Sequence, residues 1–483
     1  MASLSFPTSS TPGGIPGQGS GRLVNARTIK LGADVVWGPA PGLDLVASPG
    51  VGSPRGGLLV GDALLLARAG SLYALDASYS LRRIGTLPGT QPVTMARDNY
   101  AALAGDPQAI AQGGPHAVIT AEDGVYIVAP GGVLPYPPNS SGGLSIGNPT
   151  SVAFQDGYFF FLYADGLLRA TGTNTTPTNT LDFSDQSNTK CESAPGEWYR
   201  VTPSGGQIWC FGDTTIEVYS DQALTPFPYA RAQVIPVGLY GKWCVAGFEP
   251  GWDGQQIFVA ADRSVRQMSG YTPTRISTPE VERSIEAAAG PEVLRASAYT
   301  HGGNAIWTLS GPGFTWEYNA TTQAWNERKS QGLSRWLAET SVSAFGRWFV
   351  SDIIDGSVLA VNPDSRTENG APVIVRIESA PLRNTPDGLR LGKLVLDITT
   401  GQGSAAMRDA QCLIDYSKDG GATWVGPLAR PIGGVGRYGE RVTVGDLGRA
   451  GREGVRVGVT VSDPVPFSIR GADLPNVATR VGG

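Results

Sequence analysis

Charge is what this chain is short of. Asp, Glu, Lys and Arg supply 16% of its 483 residues, against about 25% in an ordinary soluble domain. Only six residues are lysine (Lys30, Lys190, Lys242, Lys329, Lys393 and Lys418), so Arg makes up 31 of the 37 basic residues. A net charge of -5 provides no global positive field to draw the chain onto nucleic acid. Histidine occurs twice, at His116 and His301, and neither has beside it the nucleophile and orienting acid that Ser-His-Asp or Cys-His chemistry requires. The four cysteines, Cys191, Cys210, Cys244 and Cys412, show no C-x-x-C spacing, which argues against a zinc site and a disulfide framework alike. No apolar run approaches the roughly 18 residues of a membrane span. Residues 1–21 lack the basic-then-apolar order of a secretory signal. Helical periodicity is scarce as well, and Pro279 to Ala289 is the one stretch suited to a short helix. Neither a cofactor nor a metal is expected.

Glycine and proline are abundant. Gly 66 and Pro 36 exceed a fifth of the chain, where about 12% is usual. Disorder does not follow, because 41% hydrophobic residues with Trp 11, Tyr 16 and Phe 14 give ample apolar surface to bury. The glycines instead punctuate short runs of β-branched and aromatic residues, such as Asp123-Gly-Val-Tyr-Ile-Val128, Gln155-Asp-Gly-Tyr-Phe-Phe-Phe-Leu162 and Gly303-Asn-Ala-Ile-Trp-Thr-Leu309. The turns recur near residues 57, 124, 157, 206, 254, 303 and 346, at a mean interval of about 48 residues that suits propeller blades. One four-stranded sheet cannot bury both faces, whereas a closed ring of sheets can. The expected fold is therefore all-β: a six- or seven-bladed β-propeller over residues 22–364. An extended N-terminal arm (1–21) precedes it and a C-terminal antiparallel β-sandwich (365–483) follows. The sandwich rests on longer alternating strands such as Val373-Ile-Val-Arg-Ile-Glu378 and Val455-Arg-Val-Gly-Val-Thr-Val461.

Few motifs carry chemistry. Ser417-Lys-Asp419-Gly-Gly421-Ala-Thr423-Trp424 resembles the Asp-box of sialidases, a hairpin whose Asp caps the turn and whose Trp packs beneath it. In that family the box is structural and lies away from the pocket. Gly434-Val-Gly436-Arg-Tyr-Gly439 fits G-x-G-x-x-G but runs into the strand-like Arg441-Val-Thr-Val444, where a dinucleotide site needs a helix. Arginines gather at Arg82 with Arg83, at Arg437 with Arg441, and at Arg449 with Arg452 and Arg456. They are solvated faces, or else subunit or DNA-channel contacts, since a few facing phosphates act locally whatever the net charge. Phe6 and Ile15 are candidate anchors of the arm on a neighbour.

Taken in order, several segments resemble one family. They are Arg22-Leu-Val-Asn25, Pro41-Gly-Leu43, Arg55-Gly56, Gly85-Thr-Leu-Pro-Gly89, Pro92-Val-Thr-Met-Ala96, Cys210-Phe-Gly-Asp-Thr-Thr-Ile-Glu217, residues 238–243 and Ile276-Ser-Thr-Pro-Glu-Val-Glu282. They resemble the packaged-DNA stabilisation protein, or tail hub (nozzle), of short-tailed bacteriophages. The resemblance covers most of the chain, and collinear order rather than one motif carries it. It implies a non-enzymatic virion component of the tail, synthesised in the bacterial host cytoplasm. Such subunits form a cyclic homo-oligomer, a hexamer in the family, below the portal and head-to-tail adaptor. The ring extends the channel for packaged double-stranded DNA, helps retain the genome until ejection, and anchors a tail needle, plug or receptor-binding fibre or spike. The alternatives are a carbohydrate-binding or carbohydrate-active β-propeller and a sequence-independent DNA-binding sleeve.

Overall fold

Turn chemistry sets the hairpins. At Asp156 and Gly157 the backbone takes φ of 49° and 88°, the left-handed pair that matches the twist of two joined strands. Ser151–Gln155 consequently folds back on Tyr158–Leu162 with Gln155 opposite Tyr158. The computed structural model describes residues 2–32, 34–99, 116–129, 132–135, 145–172, 187–385, 387–403, 407–445, 447–475 and 477–479.

Among the described residues, hairpins build seven antiparallel four-stranded blades. Their innermost strands are, in order, Pro54–Val60, Thr94–Arg97, Ser151–Gln155, Trp198–Ser204, Val245–Ala246, Arg295–His301 and Ala338–Ala344. The last inner strand packs back against the first. Apolar layers fill the spaces between blades: Leu64, Leu66, Phe349 and Val358 join blades one and seven, and Phe211, Phe258, Trp307 and Trp325 lie among blades four to six. The expected helix is Pro279–Glu286, opening with Pro at its first turn and burying Val281 and Ile285 between blades five and six.

Closure uses distant sequence. Blade seven takes three strands from Ala338–Ala344, Arg347–Asp352 and Val358–Asn362, and its fourth from Gly42–Ala47. Leu43 pairs with Val361 there and is buried. Joining the two ends of the propeller in one sheet makes the ring cooperative and removes two free edges.

Sheet pairing starts the propeller later than the expected residue 22, because its first blade strand is Gly42–Ala47. Residues before it pair with C-terminal strands. Arg22–Val24 lies antiparallel to Val375–Glu378, and the hairpin Ala26–Leu31 with Asp34–Pro39 joins Ile469–Leu474 through Trp37. Even Ala2–Leu4 pairs with Ile469–Leu474. The sandwich therefore takes strands from both ends of the chain. Its core includes Leu4, Phe6, Leu23 and Trp37 beside Val375, Ile377, Ile414, Val457 and Ile469. A parallel pairing of Val24 with Glu327 also fuses blade six to one sandwich sheet, making nine strands in a row.

Candidate functional site

The junction between propeller and sandwich is polar, buried and rich in hydrogen bonds. Arg328 follows the outer strand of blade six and is completely buried. It donates to the Pro41 carbonyl and, at 2.7 Å, to Glu368 Oε1, on the segment leaving blade seven. Glu368 also accepts from the Trp336 indole at 2.9 Å and the Ser330 hydroxyl at 2.6 Å. Nearby, Glu317 accepts from Tyr299 at 2.8 Å and Asn326 at 2.7 Å. Arg22 adds a two-pronged bond to Glu327 at 2.6 and 2.7 Å. Charge-assisted bonds of this geometry fix orientation more than they add net stability. They tie blade six to the entering chain and to the segment that leaves blade seven.

A cavity of about 350 Å³ runs between the inner strands. The inner strand of blade five is only Val245–Ala246, and the loop after it sets Phe248 and Glu249 in the cavity wall. Arg200 stacks on Trp243 at 5.0 Å and on Phe248 at 5.3 Å, and Lys242 lies over Trp243 at 4.8 Å. Loss of hydration lowers Arg200 to about 10, and burial together with Arg200 lowers Lys242 to about 8. Glu249 accepts the Gly247 and Phe248 amides at 2.6 and 2.9 Å, while its burial raises its pKa. Such a volume suits side chains or a small molecule, not a nucleic-acid duplex.

The arginines singled out from sequence divide into separate surfaces. Arg82 and Arg83 are exposed on the outer strand of blade one, Leu81–Thr86, where Arg83 bonds Ser71 and Thr86. Arg437 and Arg441 are exposed in the loop before Val442–Val444, with Arg437 3.7 Å from Glu440. Arg449 is exposed on Gly448–Ala450, and Arg452 pairs with Glu453 in solvent. Arg456 is different. It is buried and donates to the Gln18 carbonyl at 2.7 Å, so it holds the arm and is closed to DNA, because its strand Arg456–Val461 is central in its sheet. Sequence reading missed Arg390, which stands directly opposite Arg449 in the antiparallel pair. Both are exposed. Directly opposed like charges are unfavourable unless an anion lies over them. The alternation Leu389-Arg390-Leu391 is the sequence signal that could have found it, and only the arginine is in solvent.

The arm folds on its own chain. Phe6 is buried and meets Trp37 edge-on at 5.6 Å, so it anchors the arm in its own sandwich core, where Trp37 gives it an apolar partner. Ile15 is 61% exposed near the tip of a loop closed by the Thr11–Gly21 bridge. The Asp-box-like turn is closed by side-chain hydrogen bonds. Asp419 accepts from the Thr423 amide at 2.8 Å and its hydroxyl at 2.6 Å, and Ser417 accepts from the Gly421 amide at 2.7 Å. These bonds, with Thr423 foremost, hold the Asp419 carboxyl down at about 2. Trp424 lies against the Arg376 guanidinium at 5.1 Å. The Gly434–Gly439 stretch is a loop with turns. His116 is buried and bonded to Asp98 at 3.0 Å. Among the described residues no group of three His, Cys, Asp or Glu could hold a metal, and no helix is long and apolar enough to cross a membrane.

No curated protein matches the chain in sequence. Among solved structures it is similar to BamB from Moraxella catarrhalis, at 11% identity and a TM-score of 0.39, covering 70% of this chain and 93% of that one. It is also similar to the WD40 β-propeller domain of Doa1, at 11% identity and a TM-score of 0.41, covering 66% of this chain and 97% of that one. The family model described as bacteriophage P22 Gp10, β-propeller, matches residues 29–366, a span that contains all seven blades. With that match over most of its length, the chain belongs to the phage stabilisation family, the β-propellers of the bacteriophage P22 Gp10 type.

Proposed function

We propose that the chain is the hub, or nozzle, subunit of a short phage tail and works by scaffolding rather than catalysis. Copies assemble into a cyclic ring, six in number by family resemblance, beneath the portal and head-to-tail adaptor. The family match over residues 29–366 carries this reading. On this reading packaged DNA runs through the bore of the ring, between subunits, since the axial cavity of about 350 Å³ within one subunit suits a small molecule and not a duplex. A junction bonded through Arg328 and Glu368 suits a part that retains DNA under pressure. Arg390 opposite Arg449 supplies local positive charge of the kind that a phosphate backbone rewards. Needle, plug or fibre attachment falls to the remaining exposed surfaces, the tip around Ile15 among them.

Native mass spectrometry of the full chain alone and with its adaptor–portal complex, with imaging of the intact particle, tests the reading. A ring on the adaptor and the protein at the tail of the virion are expected. A chain that stays monomeric beside the adaptor and is missing from particles overturns it.

A further inference from the structure

The axial cavity sets one uncommitted guanidinium against an apolar wall. All seven inner strands contribute to its lining. Met95, Phe154, Trp243, Phe248 and Val342 stand in that wall and are only half-buried, although they lie inside the ring of blades. The charged groups of the lining are Arg55, Arg97, Arg200, Arg295, Glu249 and Glu339. Most of them are engaged elsewhere. Arg55 donates to the carbonyls of Gln91, Ala69, Leu87 and Pro88, and Arg295 to those of Glu292 and Leu294. Glu339 pairs with Arg335 at 3.0 Å, and Glu249 turns one carboxylate oxygen to the Gly247 and Phe248 amides. Arg97 is exposed. Among the described residues Arg200 meets only ring faces, those of Trp243 and Phe248. Such faces attract a cation but accept none of its N–H groups in ordinary hydrogen bonds. Glu249 is the acid that acts on Arg200, yet the two form no ion pair among the described residues. Lys242, over the same Trp243 ring, adds a second cation beside it.

We propose that the axial cavity binds a small organic carboxylate with an apolar tail or ring, held at its charged end by Arg200. A carboxylate supplies the two acceptors that match one edge of a planar guanidinium. Its apolar part covers the walls of Met95, Phe154 and Val342 and releases water from them. Water alone can take the Arg200 donors, but it leaves the apolar wall wetted and the cation without a counter-charge in contact. A phosphate or other polyanion is disfavoured, because the carboxylates of Glu249 and Glu339 share the wall. The volume of about 350 Å³ lies within the range of about 300–1,000 Å³ usual for small-molecule sites. Arg97 and Pro250 of the lining are exposed, so the cavity opens to solvent. The inference does not depend on the tail-hub reading.

The chain has four methionines, and Met95 is the one in the cavity lining. Labelling the methionine methyl groups of the full-length protein with ¹³C gives a signal for each, and Met95→Leu assigns the one that matters. Octanoate, 1-octanol and octyltrimethylammonium are titrated in turn at constant ionic strength, in parallel with calorimetry. One saturable equivalent of octanoate is expected, moving the Met95 methyl and leaving Met268, in the layers between outer blades, and Met407, against the sandwich core, in place. Octanoate should bind at least about tenfold more tightly than octanol or the ammonium. Arg200→Met should abolish that preference while octanol still binds, and Arg437→Met, an exposed arginine outside the cavity, should retain it. Should Arg200→Met not fold, the comparison of octanoate with octanol on the wild type decides. A Met95 methyl that stays in place, equal affinity for octanoate and octanol, or a preference that survives in Arg200→Met overturns the proposal. So does uptake that never saturates.

Discussion

Arg328 and Glu368 meet at 2.7 Å with side chains 0% and 3% exposed. One stands at the edge of blade six and the other on the strand Thr367–Glu368, which runs beside the ring-closing strand at Leu43. Removing one partner leaves a charge buried without its counterion, a loss of about 3–5 kcal/mol. Arg328→Met and Glu368→Gln should each lower the denaturation midpoint accordingly. The double variant Arg328→Met with Glu368→Leu should cost less than the sum of the singles, as urea unfolding will show.

Ring closure depends on a strand that precedes every other blade strand in sequence. Leu43→Ala leaves a cavity at a position that is 1% exposed and should cost about 2–5 kcal/mol. The same change at Leu45, which is 54% exposed, should cost little. Thermal unfolding of the pair separates closure from general loss of a leucine.

Acid should weaken the Asp-box hairpin in a defined window. Asp419 titrates near 2 in the folded chain, from an ordinary value of 3.8. A depressed carboxylate contributes stability that is complete above its unfolded pKa and is lost as pH falls through the folded one. The stability difference between the wild type and Asp419→Asn should therefore be constant above about pH 4 and shrink from there toward 2. A difference that does not change across that range excludes the turn bonds as the cause.

If the exposed arginines face DNA in the ring, charge removal should appear in the salt dependence. Arg390→Ala with Arg449→Ala should reduce the slope of log K against log salt by about 0.9 for each phosphate no longer neutralised. Arg456→Ala should leave that slope unchanged, because its guanidinium is committed to the arm at Gln18. Binding of duplex DNA to the assembled ring, measured across a salt series, decides between them.

Much of the fold was legible in local chemistry. Strand runs such as Phe159–Leu162 and turns such as Asp156–Gly157 declare themselves over a few residues, and their recurrence implied a ring of sheets. The seven recurring turns each fall in a different blade. They mark different points within the blades: Gly57 lies inside an inner strand, while Gly124 begins a third strand. The repeat therefore looked uneven, and six blades competed with seven. The arm was harder to read. Phe6 and Trp37 are thirty-one positions apart and nothing in the intervening residues signals that they touch.

Composition and turn spacing by themselves determined an all-β chain, because strand and turn preferences act within a few residues. Only the tertiary structure decided which distant strands complete a sheet. Gly42–Ala47 closes blade seven and Arg22–Val24 joins the sandwich, because backbone pairing and apolar burial are satisfied by neighbours in space. It also separated the arginines, burying Arg328 and Arg456 while leaving Arg449 opposite Arg390 in solvent. Burial and the nearest countercharge, which no local pattern encodes, set what each arginine can do.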